Sequence, residues 1–437
     1  MQKFVVLFFC LFLSLPVAAR DLSLNDASNM IIAASNDIKK ADANIQRANA
    51  GISAANANRW AKIDGNASYM NLINVKNPFS SDGIELPPEF GGLIAQITGT
   101  NPNIVIPDNL MMAGVNITQP IYTFGKIGNA VDALHSALEM SKSGRELIER
   151  EVRSAAENLY WTAKFADGAI GIAQKSLNDA ISARAKLTTA GRAPRANLVQ
   201  TEADIAQKEI ALADAKFNYK TAMDTLKIMA DIPLNEKLVL TDNFPKTFAK
   251  TKSGEIITNP EWDILSAQAK MYEQNAATAR AGRYPTLAAT GSYNYILTND
   301  DWQMWNGKNV QSAVVGVALS VPIFDGGLAS ANATMAAANA NAAREDLAKS
   351  KKIKSLEYKN ATEKYNHLME NLSRLGAARD LAARAYGYSR DRFAAGQTSA
   401  VELAQTSAAL YQMDMAVLNA KYNLMQTMSE IKKLGGI

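Results

Sequence analysis

Four short segments of the chain alternate apolar and polar residues with a period of two, which is the pattern of a β-strand with two different faces. In residues 286–297, Leu287 and Tyr293 at odd positions alternate with Thr290 and Ser292 at even positions. The other segments are residues 61–75, 111–119 and 312–321. Each strand is therefore predicted to have an apolar face of odd-numbered residues and a polar face of even-numbered residues.

Strands of about ten residues with one apolar face suit a transmembrane β-barrel, in which the apolar face contacts lipid and the polar face contacts water. They also suit soluble hairpins that pack one face on a core. In a barrel, the lumen-facing residues would be the polar even-numbered ones: Asn66, Ser68, Asn116, Thr118, Thr290, Ser292 and Ser320. The loops at residues 76–109 and 298–311 would face outside.

The rest of the chain has the period of α-helices. Residues 128–188 and 329–394 contain no proline, and each would form a helix about 90–100 Å long at 1.5 Å per residue. Shorter helices are predicted at residues 25–58, 196–229, 261–282 and 401–433. Two short helices laid end to end match one long helix in length, which predicts a bundle in which short helices pair along each long one.

The last helix of each half carries a heptad repeat of large residues. The repeat comprises Leu198, Ile205, Leu212, Tyr219 and Leu226 in one helix, and Leu403, Leu410, Val417, Leu424 and Ile431 in the other. Seven-residue spacing makes a helix supercoil left-handedly against a neighbour. An ordinary helical hairpin would show the same pattern, so the heptad predicts close helix pairing but no particular function.

The two halves of the chain resemble each other. Shifted by about 205 positions, Gln200-Thr201 falls on Gln405-Thr406, and shifted by about 202 positions, Pro120-Ile121 falls on Pro322-Ile323. This indicates an internal duplication, with each half ordered as helix, strand, loop, strand, long helix, turn and helix. The predicted boundaries are residues 20–230 for the first repeat, 231–259 for a polar linker, and 260–437 for the second repeat.

The first 19 residues are typical of a secretory signal peptide. Lys3 is followed by an apolar stretch at residues 4–15 and by a small-residue cleavage site at residues 17–19. A retained membrane anchor is the alternative, although 12 apolar residues are fewer than the roughly 20 that a spanning helix needs. Cys10 is the single cysteine of the chain, so the mature protein is expected to be stabilised without disulfides.

Composition argues against two classes of function. The 46 Lys and Arg residues are nearly balanced by 42 Asp and Glu residues, and they are not gathered into the basic face that a nucleic-acid-binding protein needs. The two histidines, His135 and His367, stand alone in helical segments, with no catalytic set, phosphate-binding loop or metal-ligand cluster beside them. We therefore expect neither an enzyme nor a protein with a cofactor.

Several motifs together resemble the TolC family of outer-membrane channel proteins for efflux and type I secretion. They are the strand-ending residues 119–125 and 321–327, the entry to the third strand at residues 279–287, and two glycine turns near residues 191 and 396. The resemblance covers nearly all of the mature chain. It implies an α+β membrane protein in which a homotrimer closes one 12-stranded β-barrel, four strands from each chain, continued by a coiled-coil tunnel of α-helices across the periplasm.

The function that this resemblance implies is a passive exit duct in the bacterial outer membrane. Its partners would be a periplasmic adaptor, an inner-membrane transporter and outer-membrane lipid. Two alternatives stay open from the residues: a periplasmic adaptor, which also has long helical hairpins, and a structural coiled-coil protein anchored in the outer membrane. Neither alternative accounts for all of the pattern, because adaptors lack two pairs of strands suited to lipid, and a stalk needs no duplicated turn.

The resemblance also assigns roles at the periplasmic end. The adaptor-docking tips would be Gly191 and Arg192 in the first half, and Gly396, Gln397 and Thr398 in the second. A glycine in a turn also serves as a plain helix cap, so these residues have an equally good structural explanation.

The periplasmic gate of the family carries acidic residues six and nine positions after the second glycine. Here those positions hold Glu402 and Gln405, so one acidic position is kept and the other is an amide. A double acidic ring is therefore not expected, and Glu402 could equally be a solvated helix residue. If Glu402 lines the entrance, three copies related by symmetry would attract cations.

Overall fold

The computed structural model describes residues 20–71, 109–189, 195–251, 256, 258–299 and 307–435. The helices are α1 (Leu24–Ala34), α2 (Asn36–Ala57), α3 (Lys126–Thr189), α4 (Arg195–Met229), α5 (Pro260–Ala281), α6 (Leu328–Ala394) and α7 (Ala400–Gly435). The strands are β1 (Arg20–Leu22), β2 (Lys62–Asn71), β3 (Asn109–Tyr122), β4 (Leu238–Leu240), β5 (Thr286–Asn299) and β6 (Lys308–Ser320). The element order therefore repeats, as the duplication predicts.

The chain forms two compact units. One comprises Arg47–Leu138 and Gln268–Ala342, and it contains an antiparallel sheet with strand order β2-β3-β5-β6. The other comprises Met1–Gln46, Glu139–Ala267 and Ala343–Ile437, and it is mostly helical apart from the parallel pair β1 and β4. Within the described ranges, no helix combines the length and the apolar character that crossing a membrane requires.

The two long helices have the predicted extent, since α3 contains 64 residues and α6 contains 67. The predicted helix at residues 25–58 is wrong in one respect, because Ser35 divides it into α1 and α2. The Ser35 N–H donates to the carbonyl oxygen of Ile32, and its hydroxyl accepts from the Ile38 N–H at 3.4 Å. One serine thus ends the first helix and caps the next.

Strands β3, β5 and β6 extend further than the alternation indicated at the end distant from the helices. The predicted loop at residues 298–311 is wrong at both of its ends, since β5 continues to Asn299 and β6 begins at Lys308; residues 300–306 lie outside the described residues. The pair β1 and β4 was not predicted, because three residues are too few to show a period. The signal peptide, residues 76–108 of the other predicted loop, and the first glycine turn lie outside the described residues.

The core of the helical unit is centred on Tyr160, which is fully buried among Leu22, Ile31, Leu226 and other apolar residues. The Tyr160 hydroxyl accepts from the backbone N–H of Asp242 at 3.0 Å and lies 3.1 Å from the carbonyl oxygen of Leu22, to which it can donate. Burial raises the pKa of Tyr160 to about 12. These bonds fix the N-terminal strand β1, and the segment after β4 inside the predicted linker, against α3.

Six of the ten heptad residues are buried and the other four are half-buried, so the heptad positions form the seam that their spacing predicts. Leu212 and Leu226 are buried in α4, and Leu403, Leu410, Leu424 and Ile431 are buried in α7. Small residues three positions further on are buried as well: Thr201, Ala215, Ala420 and Thr427. Short side chains at these positions let neighbouring helices approach closely.

One cation interrupts this apolar seam. The Lys208 ammonium donates to Ser176 Oγ at 3.0 Å on α3 and to Ser407 Oγ at 3.2 Å on α7, and it lies 3.4 Å from Asp204 Oδ1. Burial raises the pKa of the Asp204 carboxyl, and the nearby Lys208 opposes that shift. Because every donor of the ammonium has an acceptor, Lys208 connects three helices without leaving an unpaired charge.

Candidate functional site

The strand register brings the polar residues of all four strands to one face of the sheet. Every pairing joins two even-numbered or two odd-numbered residues, except Tyr122 with Leu287 after a bulge at residues 120–122 of β3. One row across the sheet runs from Asn66 through Gly114 to Asn294, and another contains Thr118 and Thr290. All seven residues predicted to face the lumen therefore share this face, which we call the even face; that it faces a lumen stays a prediction.

Side chains on the even face contact one another through polar atoms. Asn116 Nδ2 donates to Asn66 Oδ1 at 3.0 Å, and Lys62 forms an ion pair with Asp64 at 3.3 Å. Gly114 makes this crowding possible, because a Cβ there would lie only 2.6 Å from Oδ1 of Asn294. The even face near the helices is thus a polar surface of amides, hydroxyls and two opposite charges.

The opposite face, which carries odd-numbered residues, is apolar and uncovered in the single chain. Val315 in β6 is 90% exposed, and Ile63, Val317 and Leu319 are also largely exposed. A patch of branched apolar side chains this accessible would be unfavourable in water, and it indicates contact with another apolar phase or surface.

The alternation weakens towards the ends of the strands that are distant from the helices, which sequence reasoning did not predict. There the even face carries Met70, Leu110, Met112, Ile296 and Val310. The outermost row of the odd face is polar, with Asn71, Asn109 and Asn299 side by side, whereas the next odd row keeps Tyr69, Met111 and Leu297. The amide of Asn71 donates to Asn109 Oδ1 at 2.7 Å. The blurred pattern at residues 70–72 was a signal of this change in the sequence.

Aromatic residues cluster where strands meet helices. Tyr122 and Phe124 contact edge to face with centroids 4.6 Å apart, and Phe124 stacks on Tyr284 at 5.6 Å. Trp60 before β2 and Phe324 after β6 are largely exposed at the equivalent ends of their strands. Aromatic girdles mark the interfaces of transmembrane barrels, and this group was missed from sequence although it recurs in both halves.

Backbone geometry at the strand ends repeats between the halves. Phe124 and Gly125 both have positive φ, at 49° and 83°, and Gly326 and Gly327 have φ of 64° and 88°. Positive φ is uncommon for a residue with a Cβ. Phe124 nevertheless adopts it, and the equivalent position of the second half holds a glycine, Gly326. The shared turn supports a common origin for the two strand-to-helix junctions.

The second glycine turn is a helix C-cap. Gly396 has a φ of 74°, its N–H donates to the carbonyl oxygen of Phe393 at 3.0 Å, and the Gln397 N–H donates to that of Arg392 at 2.8 Å. These bonds form a Schellman motif, which requires the left-handed conformation that glycine adopts without strain. The capping explanation of Gly396 therefore holds, and docking by Gly396, Gln397 and Thr398 stays a prediction.

Glu402 lies in the first turn of α7, near this cap. Its backbone N–H donates to Ser399 Oγ at 3.2 Å, and its carboxylate accepts from the Thr398 hydroxyl. Arg392, which was not considered from sequence, lies 3.8 Å from Glu402 Oε1. Gln405 is exposed one turn later. The Glu402 carboxylate is thus held in place by the turn and partly balanced by a cation of its own chain.

Among the described residues, no three His, Cys, Asp or Glu side chains are placed to hold a metal ion. The arrangement instead consists of a sheet with one polar and one apolar face, and of paired long helices that end in a capped turn. This is the architecture of one subunit of a TolC-like outer-membrane channel.

A family comparison agrees with this architecture. The family model for outer membrane efflux proteins matches residues 27–230 and 259–436. The chain belongs to this family, and it is therefore an outer-membrane efflux protein. The two matches fall on the two halves of the internal duplication. A comparison with curated protein sequences finds no significant match.

Solved structures show the same fold at low sequence identity. The CmeC outer membrane channel of Campylobacter jejuni is 18% identical with a TM-score of 0.76, over 94% of this chain and 85% of that one. The MtrE outer membrane channel of Neisseria gonorrhoeae is 17% identical with a TM-score of 0.75, over 94% and 88% of the two chains. The outer membrane protein VceC of Vibrio cholerae is 16% identical with a TM-score of 0.74, over 94% and 96%.

Proposed function

We propose that three copies of this chain form one passive exit duct, and that a periplasmic adaptor and an inner-membrane transporter deliver substrates to it. The observation that carries this proposal is the four-stranded sheet, whose outer strands β2 and β6 each have one edge that no strand among the described residues pairs with. Open edges leave backbone N–H and C=O groups unpaired, which lipid does not tolerate. Four strands from each of three chains would close a 12-stranded barrel without edges.

The polarity of the two faces supports this assembly. In a closed barrel the even face would line a water-filled lumen, and the odd face with Val315 and Val317 would contact lipid. The aromatic residues at the strand ends would lie at one membrane interface. Substrate would pass through the duct without a chemical reaction, and the energy for transport would come from the inner-membrane transporter. The family assignment and the sheet favour this duct over a periplasmic adaptor or a structural stalk.

The proposal is tested by purifying the protein from outer membranes. We expect an oligomer that migrates as a trimer on a gel without heating and as a monomer after heating. In planar lipid bilayers it should give discrete single-channel conductance steps. A monomer that conducts no current would contradict both the trimer and the duct.

The turn between α6 and α7 is proposed as an adaptor-docking tip, together with the predicted tip at Gly191 and Arg192. Photocrosslinkers at Arg192 or Thr398 are expected to capture a periplasmic adaptor in cells, because Thr398 lies in the turn between α6 and α7 and the sequence predicts an equivalent tip at Arg192. A crosslinker at Lys359, an exposed residue in the middle of α6, serves as the matched control and should capture less adaptor. If both tip positions capture only lipid or outer-leaflet components, this placement is wrong.

Glu402 is proposed to line the periplasmic entrance, with Gln405 one turn further. Glu402→Ala is expected to raise single-channel conductance or to weaken block by multivalent cations, because it removes three carboxylates from the entrance. Bilayer recordings with and without a trivalent cation measure both effects. Glu209→Ala, at an exposed position of α4, should change neither. Identical block of the wild type and Glu402→Ala would exclude Glu402 from the gate.

The contact between Arg392 and Glu402 provides a second substitution that tests the gate. Because Arg392 partly balances Glu402, Arg392→Gln should strengthen block by multivalent cations, which is opposite to the effect of Glu402→Ala. Opposite effects of the two substitutions would support a carboxylate that is accessible to permeating ions.

A further inference from the structure

The odd face of the sheet changes its chemistry at the strand ends that are distant from the helices. From Leu287 to Leu297, the odd positions of β5 carry apolar residues, glycine or tyrosine, and the next odd position holds Asn299. A strand of about 9–11 residues crosses a bilayer, and the stretch without amides has about that length. In the proposed duct, the aromatic residues at the helix ends lie at one membrane interface. The amides beyond Leu297 then lie at the level of the lipid headgroups on the opposite side.

Amides and tyrosines from all four strands make up the polar part of this region. We call it the amide-tyrosine rim, and its members are Tyr69, Asn71, Asn109, Tyr293, Tyr295, Asn299, Asn309 and Gln311. Met111 and Leu297 lie between them on the same face. The odd positions of the four strands include no Asp, Glu, Lys or Arg. The amide-tyrosine rim is therefore polar without being charged.

Two hydrogen bonds of the same kind hold tyrosines of the rim in place. The Tyr69 hydroxyl donates to Oδ1 of the buried Asn109 at 2.6 Å, between β2 and β3. The Tyr293 hydroxyl donates to Gln311 Oε1 at 3.1 Å, between β5 and β6. Asn71 Nδ2 also donates to Asn109 Oδ1, at 2.7 Å. A tyrosine bonded to an amide of the neighbouring strand therefore recurs in both halves of the duplication.

These bonds leave ring surface and amide groups of the rim accessible. Tyr69 is 56% exposed and Tyr293 is 47% exposed, and Asn71, Asn309 and Gln311 are exposed as well. A side-chain amide has two N–H donors and two acceptor lone pairs. Among the described residues, Asn71 and Gln311 each use one of these four positions in a side-chain hydrogen bond. The rim thus presents oriented aromatic rings beside amides that can both donate and accept.

We propose that the amide-tyrosine rim binds the saccharide headgroup of a glycolipid in the outer leaflet of the outer membrane. Amides donate to and accept from sugar hydroxyls, and the negative face of a tyrosine ring attracts the C–H groups of a sugar ring. A phosphate headgroup would instead need Arg or Lys, which the odd positions lack. The inference rests on the proposed duct, because the rim meets lipid headgroups only if the sheet is part of a membrane-spanning barrel.

The experiment uses the full-length protein, purified from outer membranes in a polyoxyethylene detergent, which has no saccharide headgroup. Lipopolysaccharide and phosphatidylglycerol are added separately, and native mass spectrometry measures the lipid bound per oligomer. We expect saturable binding of lipopolysaccharide and much weaker binding of phosphatidylglycerol. The double variant Asn309→Ala, Gln311→Ala should bind lipopolysaccharide roughly tenfold more weakly, since each hydrogen bond between neutral groups contributes about a factor of three or more.

The matched control removes two polar side chains from the even face of the same two strands. Asn294 of β5 pairs with Ser312 of β6, and both lie on the face opposite to the rim. Asn294→Ala, Ser312→Ala should therefore bind lipopolysaccharide as the wild type does. Tyr293→Leu is a second variant of the rim, which keeps an apolar side chain of similar reach but removes the ring and the hydroxyl. It should weaken binding of lipopolysaccharide and leave binding of phosphatidylglycerol unchanged.

Gels and conductance recordings on the same samples separate this inference from the duct itself. A wild type that forms no heat-sensitive trimer and conducts no current overturns both. A conducting trimer that does not bind lipopolysaccharide, or that binds phosphatidylglycerol equally well, overturns the glycolipid inference alone. The same conclusion follows if the rim variants bind lipopolysaccharide at the wild-type level, or if the rim and control variants are weakened equally.

Discussion

Val317→Lys and Leu319→Lys are each expected to prevent assembly of the protein in the outer membrane. Both residues lie on the odd face of β6, where they pair with Ala289 and Leu287 of β5 and are largely exposed in the single chain. A lysine on the lipid face of a barrel costs roughly 2–4 kcal/mol at mid-depth, and a trimer would repeat that cost three times. The heat-sensitive oligomer on gels of outer-membrane fractions measures assembly.

The matched controls place the same cation on the even face, at one position of β6 and one of its neighbour β5. Thr290 of β5 lies beside Gly316 of β6, and Ser320 of β6 pairs with Thr286. Thr290→Lys and Ser320→Lys should assemble at close to the wild-type level, because their ammonium groups would reach water. Equal assembly of both classes of variant would contradict the assignment of the faces, and with it the closed barrel.

The local pattern of the sequence predicted much of the fold, because each long element repeats one environment along its length. The extents of α3 and α6, the polar face of the strands near the helices, and the buried heptads of α4 and α7 all follow from a period of 2, 3.6 or 7 residues. Ser35 shows the limit of this reasoning. A single capping residue breaks a helix without disturbing the apolar period on either side of it.

Features built from residues distant in sequence could not be predicted in the same way. In the sequence, Lys208 has no feature that distinguishes it from an ordinary charged helix residue; its role follows only from Ser176 and Ser407, which two other helices place around its ammonium. The contact between Arg392 and Glu402 depends on the tight turn at Gly396, which brings the end of one helix beside the start of the next. Such contacts need the tertiary structure, since no local periodicity encodes them.

In the candidate site as well, some features follow from the local sequence pattern and others depend on the tertiary structure. The seven polar strand residues share one face because the strand pairing keeps the parity of residue numbers, which the alternation implied. The apolar group around Met112 and Ile296 on the even face depends on which residues lie opposite each other across the strands, and the register is fixed only in the folded sheet. The roles proposed for the tip and gate residues come from the family resemblance and not from a periodic pattern in the sequence.

Leu424→Ala is expected to lower the thermal stability of the helical unit strongly. Leu424 is 0% exposed and packs with Tyr358, Tyr365 and Ile431 in one apolar cluster. Truncating a buried leucine to alanine removes its transfer free energy and leaves a cavity, at a cost of about 2–5 kcal/mol. Because the helices around Leu424 are long and closely packed, we expect the cavity to collapse little, which places the cost towards the upper end of that range.

The temperature at which helical circular dichroism is lost in detergent measures this effect, with the temperature of trimer dissociation on gels as a second readout. Val401→Ala on the same helix is the matched control. Val401 is 46% exposed, and substitutions at such positions usually change stability by less than about 0.5 kcal/mol. The seam explanation requires a large decrease for Leu424→Ala and little change for Val401→Ala. If the two variants lose stability equally, the heptad positions of α7 are not the buried seam that holds the helices together, and the pairing of α7 must depend on contacts outside the heptad.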